Sequence, residues 1–195
     1  MIRNMMAAVA LGLAVSLAAP GSAAMATEQA PYAVVQAEGR IEIRDYPELL
    51  TALTVEPGDR RASDDDAFRR LAAYIFDDER PEGEIAMTAP VFMAPEAQNS
   101  TSMEFVMPKR FTRETLPEPK DPGVSITERP ARRVAAIRFS GWAGDDDLAE
   151  REAELRAWMA AQGLEARGEA EWAFYNPPWT LGPWRRNEVL IEIEG

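Results

Sequence analysis

The chain has 195 residues, with 21 lysines and arginines against 33 aspartates and glutamates, so its formal net charge at pH 7 is −12. A surface this acidic repels the phosphates of nucleic acids and anionic lipid headgroups, so we expect no nucleic-acid partner. The sequence contains no histidine and no cysteine, which excludes Ser-His-Asp and Cys-His catalysis within the chain, disulfide bonds, and lipid attachment through cysteine.

Residues 1–26 have the layout of a secretory signal peptide. Arg3 gives a positive start, residues 5–19 are apolar and uncharged, and small residues precede two cleavage points, after Ala24 and after Ala26. A membrane anchor is the alternative, but the apolar run is shorter than the roughly 20 residues that a spanning helix needs. We therefore expect a periplasmic or secreted protein with one domain over residues 27–195 and no membrane segment after cleavage.

Three short strands are predicted after an N-terminal tail at residues 27–31. Residues 32–36 form the first strand. Residues 40–44 alternate isoleucines with charged residues, which is typical of a half-buried strand, and residues 49–55 form the third. The alternation predicts a sheet with one face toward a core and one toward water.

An amphipathic helix follows and extends to about Phe76. Ser63 is a good N-cap residue, and Asp66 three positions later resembles the acidic partner of a capping box. The acidic triplet at residues 64–66 has two interpretations, a cation site or carboxylates that complement the helix dipole. No calcium-loop spacing follows the triplet, so we favour the dipole and expect no separate metal site.

Beyond this helix the chain returns to strands. Residues 84–93 form an apolar strand interrupted at Ala89-Pro90, and Met103, Phe105 and Met107 alternate with polar neighbours. Residues 108–123 contain four prolines and several charges, which indicates an extended linker.

The second half follows the same order. A second acidic triplet opens a helix that runs to about Gln162, where Gly163 is the expected stop. The remaining predictions are strands at residues 124–128, 132–139, 169–175 and 188–192, and a loop at residues 177–183.

The two acidic triplets lie 81 residues apart, and Pro90 and Pro178 lie 88 apart. This near-constant offset predicts an internal duplication, with halves at about residues 32–107 and 124–195. The predicted fold class is α+β, a distorted, mainly antiparallel eight-stranded barrel with one helix packed outside each half. If the two proline-containing segments occupy equivalent places, they should border a shared apolar cleft.

Three short motifs are specific: Met-Thr-Ala-Pro-Val at residues 87–91, Pro-Pro-Trp-Thr at residues 177–180 and Arg-Arg-Asn-Glu-Val at residues 185–189. Further segments accompany them in order, at Tyr32 and at residues 41–46, 67–75, 105–108, 139–141 and 175–176. Taken together, they resemble the SOUL heme-binding protein family from Tyr32 to the C-terminus.

The resemblance implies an eight-stranded barrel with two flanking helices that binds heme or a related tetrapyrrole in an apolar cleft, without a known catalytic activity. One branch of the family has been linked to a histidine ligand for iron, and this chain has no histidine. Basic residues on the first helix have been proposed to meet the propionates in another branch. Three aspartates occupy the start of that predicted helix here and would repel propionates.

Two kinds of heme site remain open. If a side chain ligates the iron, tyrosine or methionine must do so, which makes Tyr74, Tyr175, Met87 and Met93 the candidates. The other possibility is a flat apolar slot without a strong ligand, with walls from Met87, Pro90, Phe92, Pro178 and Trp179. If neither side chain ligates iron, Tyr74 packs at the helix end and Met87 fills core space.

Arg186, with Arg185 beside it, is the best positive charge for a propionate. It could instead bond to the nearby loop and fix how the last strand enters the barrel. We expect Trp142, Trp158 and Trp184 to lie in the core or to pack against helices.

The sequence supports three hypotheses about function. The first is a non-enzymatic binder or carrier of heme or a related tetrapyrrole. The second is a binding module for another hydrophobic small molecule or for a protein partner, with heme irrelevant. The third is an enzyme that uses carboxylates such as Glu84 or Glu188, but nothing specifies a catalytic pair, so we expect no enzymatic activity.

Overall fold

The computed structural model describes residues 27–80 and 83–194. The predicted signal peptide lies outside the described residues. Within them the chain forms two helices, a short 3₁₀ helix at Gly182–Trp184, and eleven strands. The helices are α1 (Arg60–Ile75) and α2 (Asp145–Ala161), and the strands are β1 (Glu28–Gln29), β2 (Ala33–Glu38), β3 (Ile41–Tyr46), β4 (Leu49–Pro57), β5 (Thr88–Ala89), β6 (Val91–Glu96), β7 (Ser100–Val106), β8 (Ser125–Arg129), β9 (Arg132–Phe139), β10 (Glu171–Phe174) and β11 (Asn187–Ile193).

Nine of these strands form one antiparallel sheet in the order β2-β3-β9-β11-β10-β6-β7-β4-β8. Strands β1 and β5 form a separate parallel pair, so the expected N-terminal tail contains a strand. The α+β class and the mainly antiparallel sheet are confirmed. The sheet has nine strands rather than the expected eight, and its edge strands β2 and β8 do not pair with each other within the described residues.

Apart from β2, the order of the sheet is symmetric about its centre. Strands β6 and β10 follow the two helices and lie side by side there, with Val91 opposite Phe174. With β2 set aside, the first strand of each half pairs with a strand of the other half: β3 pairs with β9, and β8 pairs with β4. This arrangement agrees with two equivalent halves, while the duplication itself stays a prediction.

The sheet curls so strongly that strands far apart in its order meet. Tyr46 of β3 and Phe92 of β6 lie four strands apart, which in a flat sheet would be roughly 19 Å. Their ring centroids are 6.3 Å apart. The face that carries these two rings is therefore the inner face of a half-barrel.

Both helices pack on the outer face of the sheet, and the apolar side chains buried between each helix and the sheet form what we call the outer core. Helix α1 lies on β4 and β7, and its buried side chains include Leu71, Tyr74 and Ile75. Helix α2 lies on β9 and β11. Neither helix in the described part of the chain has the length and apolar character of a membrane-spanning helix.

The predicted start of the first helix is wrong by four residues. Asp59 is the N-cap, and its carboxylate accepts a hydrogen bond of 3.0 Å from the Ala62 amide. Ser63 lies within the helix, where its hydroxyl donates to the carbonyl of Asp59 at 2.9 Å. The first acidic triplet therefore lies in the second turn. In α2 the triplet does open the helix, because Gly144 is the N-cap and its amide donates to Asp147.

Candidate functional site

The inner face of the half-barrel is filled by an ionic network centred on Glu188. Glu188 is 0% exposed and Arg44 is 1% exposed. The guanidinium of Arg44 donates to both carboxylate oxygens of Glu188, at 2.6 and 3.0 Å, and Nε of Arg186 donates at 2.9 Å. Tyr175 Oη donates a further hydrogen bond of 3.0 Å. Burial alone would raise the pKa of Glu188, but the hydrogen bonds and charges of Arg44 and Arg186 hold it below its ordinary value.

A second buried ionic cluster lies beside the first. Glu171 pairs with Arg129 at 2.7 Å and with Arg132. Both guanidinium groups lie over the ring of Phe92, at 4.8 and 5.9 Å from its centroid. Phe92 is 1% exposed, so its ring is covered by cations and offers no wall to a ligand.

The two proline-containing segments contact each other directly. Strands β6 and β10 are hydrogen-bonded neighbours, and at their terminal pair, Val91 with Phe174, Pro90 precedes Val91 and Tyr175 follows Phe174. Pro90 is buried, and Met87 is half-buried against the outer core. In the described part of the chain, the Glu188 network occupies the inner face beside Tyr175, where the predicted apolar cleft would lie.

Neither candidate tyrosine is arranged as a phenolate. The hydroxyl of Tyr74 donates to the carbonyl of Pro117 at 2.7 Å, and burial raises the pKa of Tyr74 to about 12 despite the nearby Arg80. Burial, together with the negative charge of Glu188, also raises the pKa of Tyr175. Because iron binds tyrosine as the phenolate, both environments oppose ligation.

Among the described residues, the four most exposed of the large apolar side chains lie on two loops next to β9 and β10. They form a surface that we call the tryptophan platform: Trp142 (66% exposed), Trp179 (81%), Leu181 (56%) and Trp184 (75%). The expectation that Trp142 and Trp184 pack in the core is wrong. Trp158 does pack against the outer core, and its indole donates to Glu38 at 3.0 Å.

Hydrogen bonds between the loops make the platform one unit. The amide of Gly141 donates to the carbonyl of Gly182 at 2.9 Å, and Asn187 donates to the carbonyl of Gly141 at 3.1 Å. A Cβ on Gly182 would lie 3.0 Å from the indole nitrogen of Trp142, so a glycine permits this contact. The guanidinium of Arg185 stacks on Trp142 at 4.4 Å and donates to the carbonyls of Pro178 and Thr180.

Arg185 and Arg186 therefore face different surroundings. Arg185 belongs to the platform. Arg186 stacks on Tyr175 at 3.7 Å and donates to Glu188 and to Tyr32 Oη at 2.9 Å, while its amide donates to Asn176. These bonds fix the entry of β11 into the sheet and engage the Arg186 guanidinium.

The eight residues predicted for the site are thus divided among four places. The structure places Pro178 and Trp179 on the platform, Phe92, Tyr175 and Arg186 on the inner face, Tyr74 and Met87 in the outer core, and Pro90 at the junction of the halves. Sequence reasoning missed the platform role of Trp142, Leu181 and Trp184. The available signal was large apolar residues inside segments rich in glycine and proline, which form loops.

A groove between the helices is a second concave region. Trp172 and Phe174 pack against the cores of both halves, and a cavity of about 320 Å³ lies over Trp172. Arg60 of α1 pairs with Asp145 of α2 at 2.5 Å, across this groove. The lining is largely charged, which suits a flat apolar ligand less than the platform does.

The platform suits the porphyrin ring and the propionates of a heme, but it does not supply the usual ligands of the iron. Its indole rings are exposed aromatic surface of the kind that contacts a porphyrin, and Arg185 supplies a cation. The chain has no histidine or cysteine to ligate the iron.

Comparisons with known proteins agree with the fold. A family model described as SOUL heme-binding protein matches residues 27–192. Among curated proteins, none matches this chain. The chain is similar to the solved C-terminal domain of EcmrR, with 12% identity and a TM-score of 0.63 over 79% of this chain and 96% of that one. It is also similar to a hydrolase from Listeria innocua, with 12% identity and a TM-score of 0.58 over 82% and 94%. Likenesses at this identity show the fold alone.

Proposed function

The chain belongs to the SOUL heme-binding protein family, and we propose that it is a non-enzymatic binder or carrier of heme or a related tetrapyrrole. We propose that the ligand is held on the tryptophan platform. The observation that carries the proposal is the exposure of Trp142, Trp179 and Trp184 on hydrogen-bonded loops. Contiguous exposed apolar surface on a folded chain marks an interaction site.

The chemistry of the platform suits a flat aromatic ligand. Indole rings stack on extended π systems, and such contacts contribute about 0.5–1.5 kcal/mol each beyond the burial of area. Arg185 is half-buried beside Trp142, and its Nε and Nη2 donate to the carbonyls of Thr180 and Pro178, so Nη1 and the positive charge are what it offers to a carboxylate. A tetrapyrrole with propionate groups would meet both features at once.

We propose that heme is held by its face and propionates, without a strong protein ligand to iron. The sequence has no histidine or cysteine, and the raised pKa values of Tyr74 and Tyr175 oppose phenolate ligation. The absorption spectrum of the complex should therefore lack the signature of histidine ligation, and Tyr74→Phe should leave it unchanged.

A titration with hemin tests the proposal. The purified protein should give a saturable Soret shift, and Trp179→Ala should weaken binding by about twofold to tenfold, since a stacked aromatic pair contributes about 0.5–1.5 kcal/mol. Phe76→Ala is the matched control, because Phe76 is also an exposed aromatic residue but follows the far end of α1. A non-saturable response, or equal affinity of Trp179→Ala and the native protein, would contradict the platform as a heme site.

The alternative is a binding module for another hydrophobic small molecule or for a protein partner. The openness of the platform favours it, because an exposed aromatic surface also suits a protein interface. Native mass spectrometry of the protein purified from its own host would then show a different retained molecule. A retained tetrapyrrole would exclude this alternative.

We also propose that the protein acts in the periplasm or after secretion. The charge and apolar pattern of residues 1–26 supports this location. N-terminal sequencing of the protein from fractionated cells should find a mature chain that begins at Met25 or Thr27. An uncleaved chain in the cytoplasmic fraction would contradict the proposal.

A further inference from the structure

A cavity of about 380 Å³ lies away from the tryptophan platform and shares no lining residue with it. We call it the edge cavity, because its walls include the start of β4 and the edge strand β8. Its lining residues are 28–31, 48–50, Thr88, 106–109, 111–114 and Glu128. The volume is near the lower end of the roughly 300–1,000 Å³ typical of small-molecule sites, so it suits a ligand about the size of one substituted ring.

One wall of the edge cavity is apolar and well supported. Met107 belongs to the outer core under α1, and Leu50 and Phe111 pack against that core. The amide of Met107 donates to the carbonyl of Leu50 at 2.8 Å, which fixes the loop against β4. Met107 is buried, while Leu50 and Phe111 are each half-buried and offer apolar surface to a guest.

The charged residues around this wall are mainly acidic. Four glutamates line the cavity against one lysine and one arginine: Glu28, Glu48, Glu114, Glu128, Lys109 and Arg113. The arginine, Arg113, pairs at 2.8 Å with Glu118, which is outside the lining. The lining therefore carries excess negative charge, within a chain that is itself strongly acidic.

The sheet register places negative charge next to the apolar wall. Glu128 is the cross-strand partner of Leu50 in the β4–β8 pairing. Directly opposite residues of an antiparallel pair project to the same face, with their Cβ atoms about 5 Å apart. A ligand that rests on Leu50 would thus have a carboxylate within reach of a positive group.

We propose that the edge cavity binds a small organic cation with an apolar body, such as an aryl- or alkylammonium. The apolar wall would take the body, and the glutamates would stabilise the charge, more strongly in a concave site than on a flat surface. This site is independent of the proposed tetrapyrrole binding.

Calorimetric titration with benzyltrimethylammonium at low ionic strength tests the proposal, with phenylacetate as an anion of similar size. Saturable binding of the cation and none of the anion is expected. Glu128→Gln should weaken the cation about fivefold, the effect of a charge pair of about 1 kcal/mol at 4 Å in water, and Phe111→Ala should weaken it as well. Glu165→Gln is the matched control, since Glu165 is an exposed glutamate outside the cavity.

Absence of binding, equal binding of the two probes, or native affinity in both Glu128→Gln and Phe111→Ala would each overturn the proposal. Glu128 is exposed, so Glu128→Gln should fold, and if Phe111→Ala does not fold, native cation affinity in Glu128→Gln alone overturns the proposal. Hemin affinity should be unchanged in Glu128→Gln, and cation affinity unchanged in Trp179→Ala. The failure of one site is thereby distinguishable from the failure of the other.

Discussion

The substitution Glu188→Gln tests the buried network most directly. It keeps the size of the side chain and removes the negative charge that faces Arg44 and Arg186. Arg44 is buried and would retain one ion pair, with Glu42 at 2.7 Å. The variant would therefore bury a guanidinium whose main counter-charge is gone.

Removing one partner of a buried pair costs about 3–5 kcal/mol, and the remaining Glu42 contact places this case near 3 kcal/mol. For a domain of this size, the loss should lower the melting temperature by about 6–12 °C. Urea unfolding followed by circular dichroism measures the free energy of unfolding. Glu192→Gln is the matched control on the same strand, at a half-buried position, and should change stability by less than about 0.5 kcal/mol.

The pH dependence gives a second readout. The folded-state pKa of Glu188 lies below its ordinary value of 4.5, so its contribution to stability is complete above that value and is lost as the pH falls toward the folded-state pKa. The stability gap between the native protein and Glu188→Gln should be constant near neutral pH and narrow below pH 4.5. A gap under about 1 kcal/mol at pH 7, or one that widens in acid, would refute the buried ion pair.

Three further predictions rest on single contacts. Asp59→Ala should lower the free energy of unfolding by about 1 kcal/mol in urea unfolding because it removes the α1 cap, whereas a cost for Ser63→Ala alone would restore Ser63 as the cap. Tyr74→Phe should remove a phenol transition near pH 12 from the ultraviolet titration of the native protein. If the variant instead loses a transition near pH 10, the hydroxyl of Tyr74 is not buried. Burial raises the pKa of Glu104, so ionised Glu104 opposes folding above that pKa and Glu104→Gln should stabilise the fold at pH 7. This gain should shrink as urea unfolding is repeated at lower pH, and a gain independent of pH would assign it to another cause.

The alternation of apolar and polar residues was enough to predict most strands. It misled in one respect, at β3, where Arg44 shares a face with Glu42 and Tyr46. The charges on this face were expected to meet water, but Arg44 is buried because the sheet curls and brings Glu188 from 144 positions away. No local pattern contains a pairing at that separation, so the sequence indicates the strand and not the burial of its charged face.

The site was harder to predict for a similar reason. Pro178 and Trp179 were recognised from their motif, but a tryptophan in a turn carries no periodicity that tells whether it points to the core or to solvent. Trp142 lies against Gly182, beside the Gly141–Gly182 hydrogen bond that joins two loops distant in sequence. Similarly, Ser63 and Asp59 are both good caps, and only the geometry of the preceding loop decides between them.

The inner network and the tryptophan platform are joined through adjacent residues. Arg185 has a polyproline II backbone, with φ −72° and ψ 141°, so its side chain and that of Arg186 point in different directions. Arg186 reaches inward to Glu188, and this fixes Arg185 outward on Trp142. Glu188→Gln should therefore weaken hemin binding although Glu188 is not on the platform, while Glu192→Gln should not. Unchanged hemin affinity in a folded Glu188→Gln variant would show that the platform keeps its shape without the network.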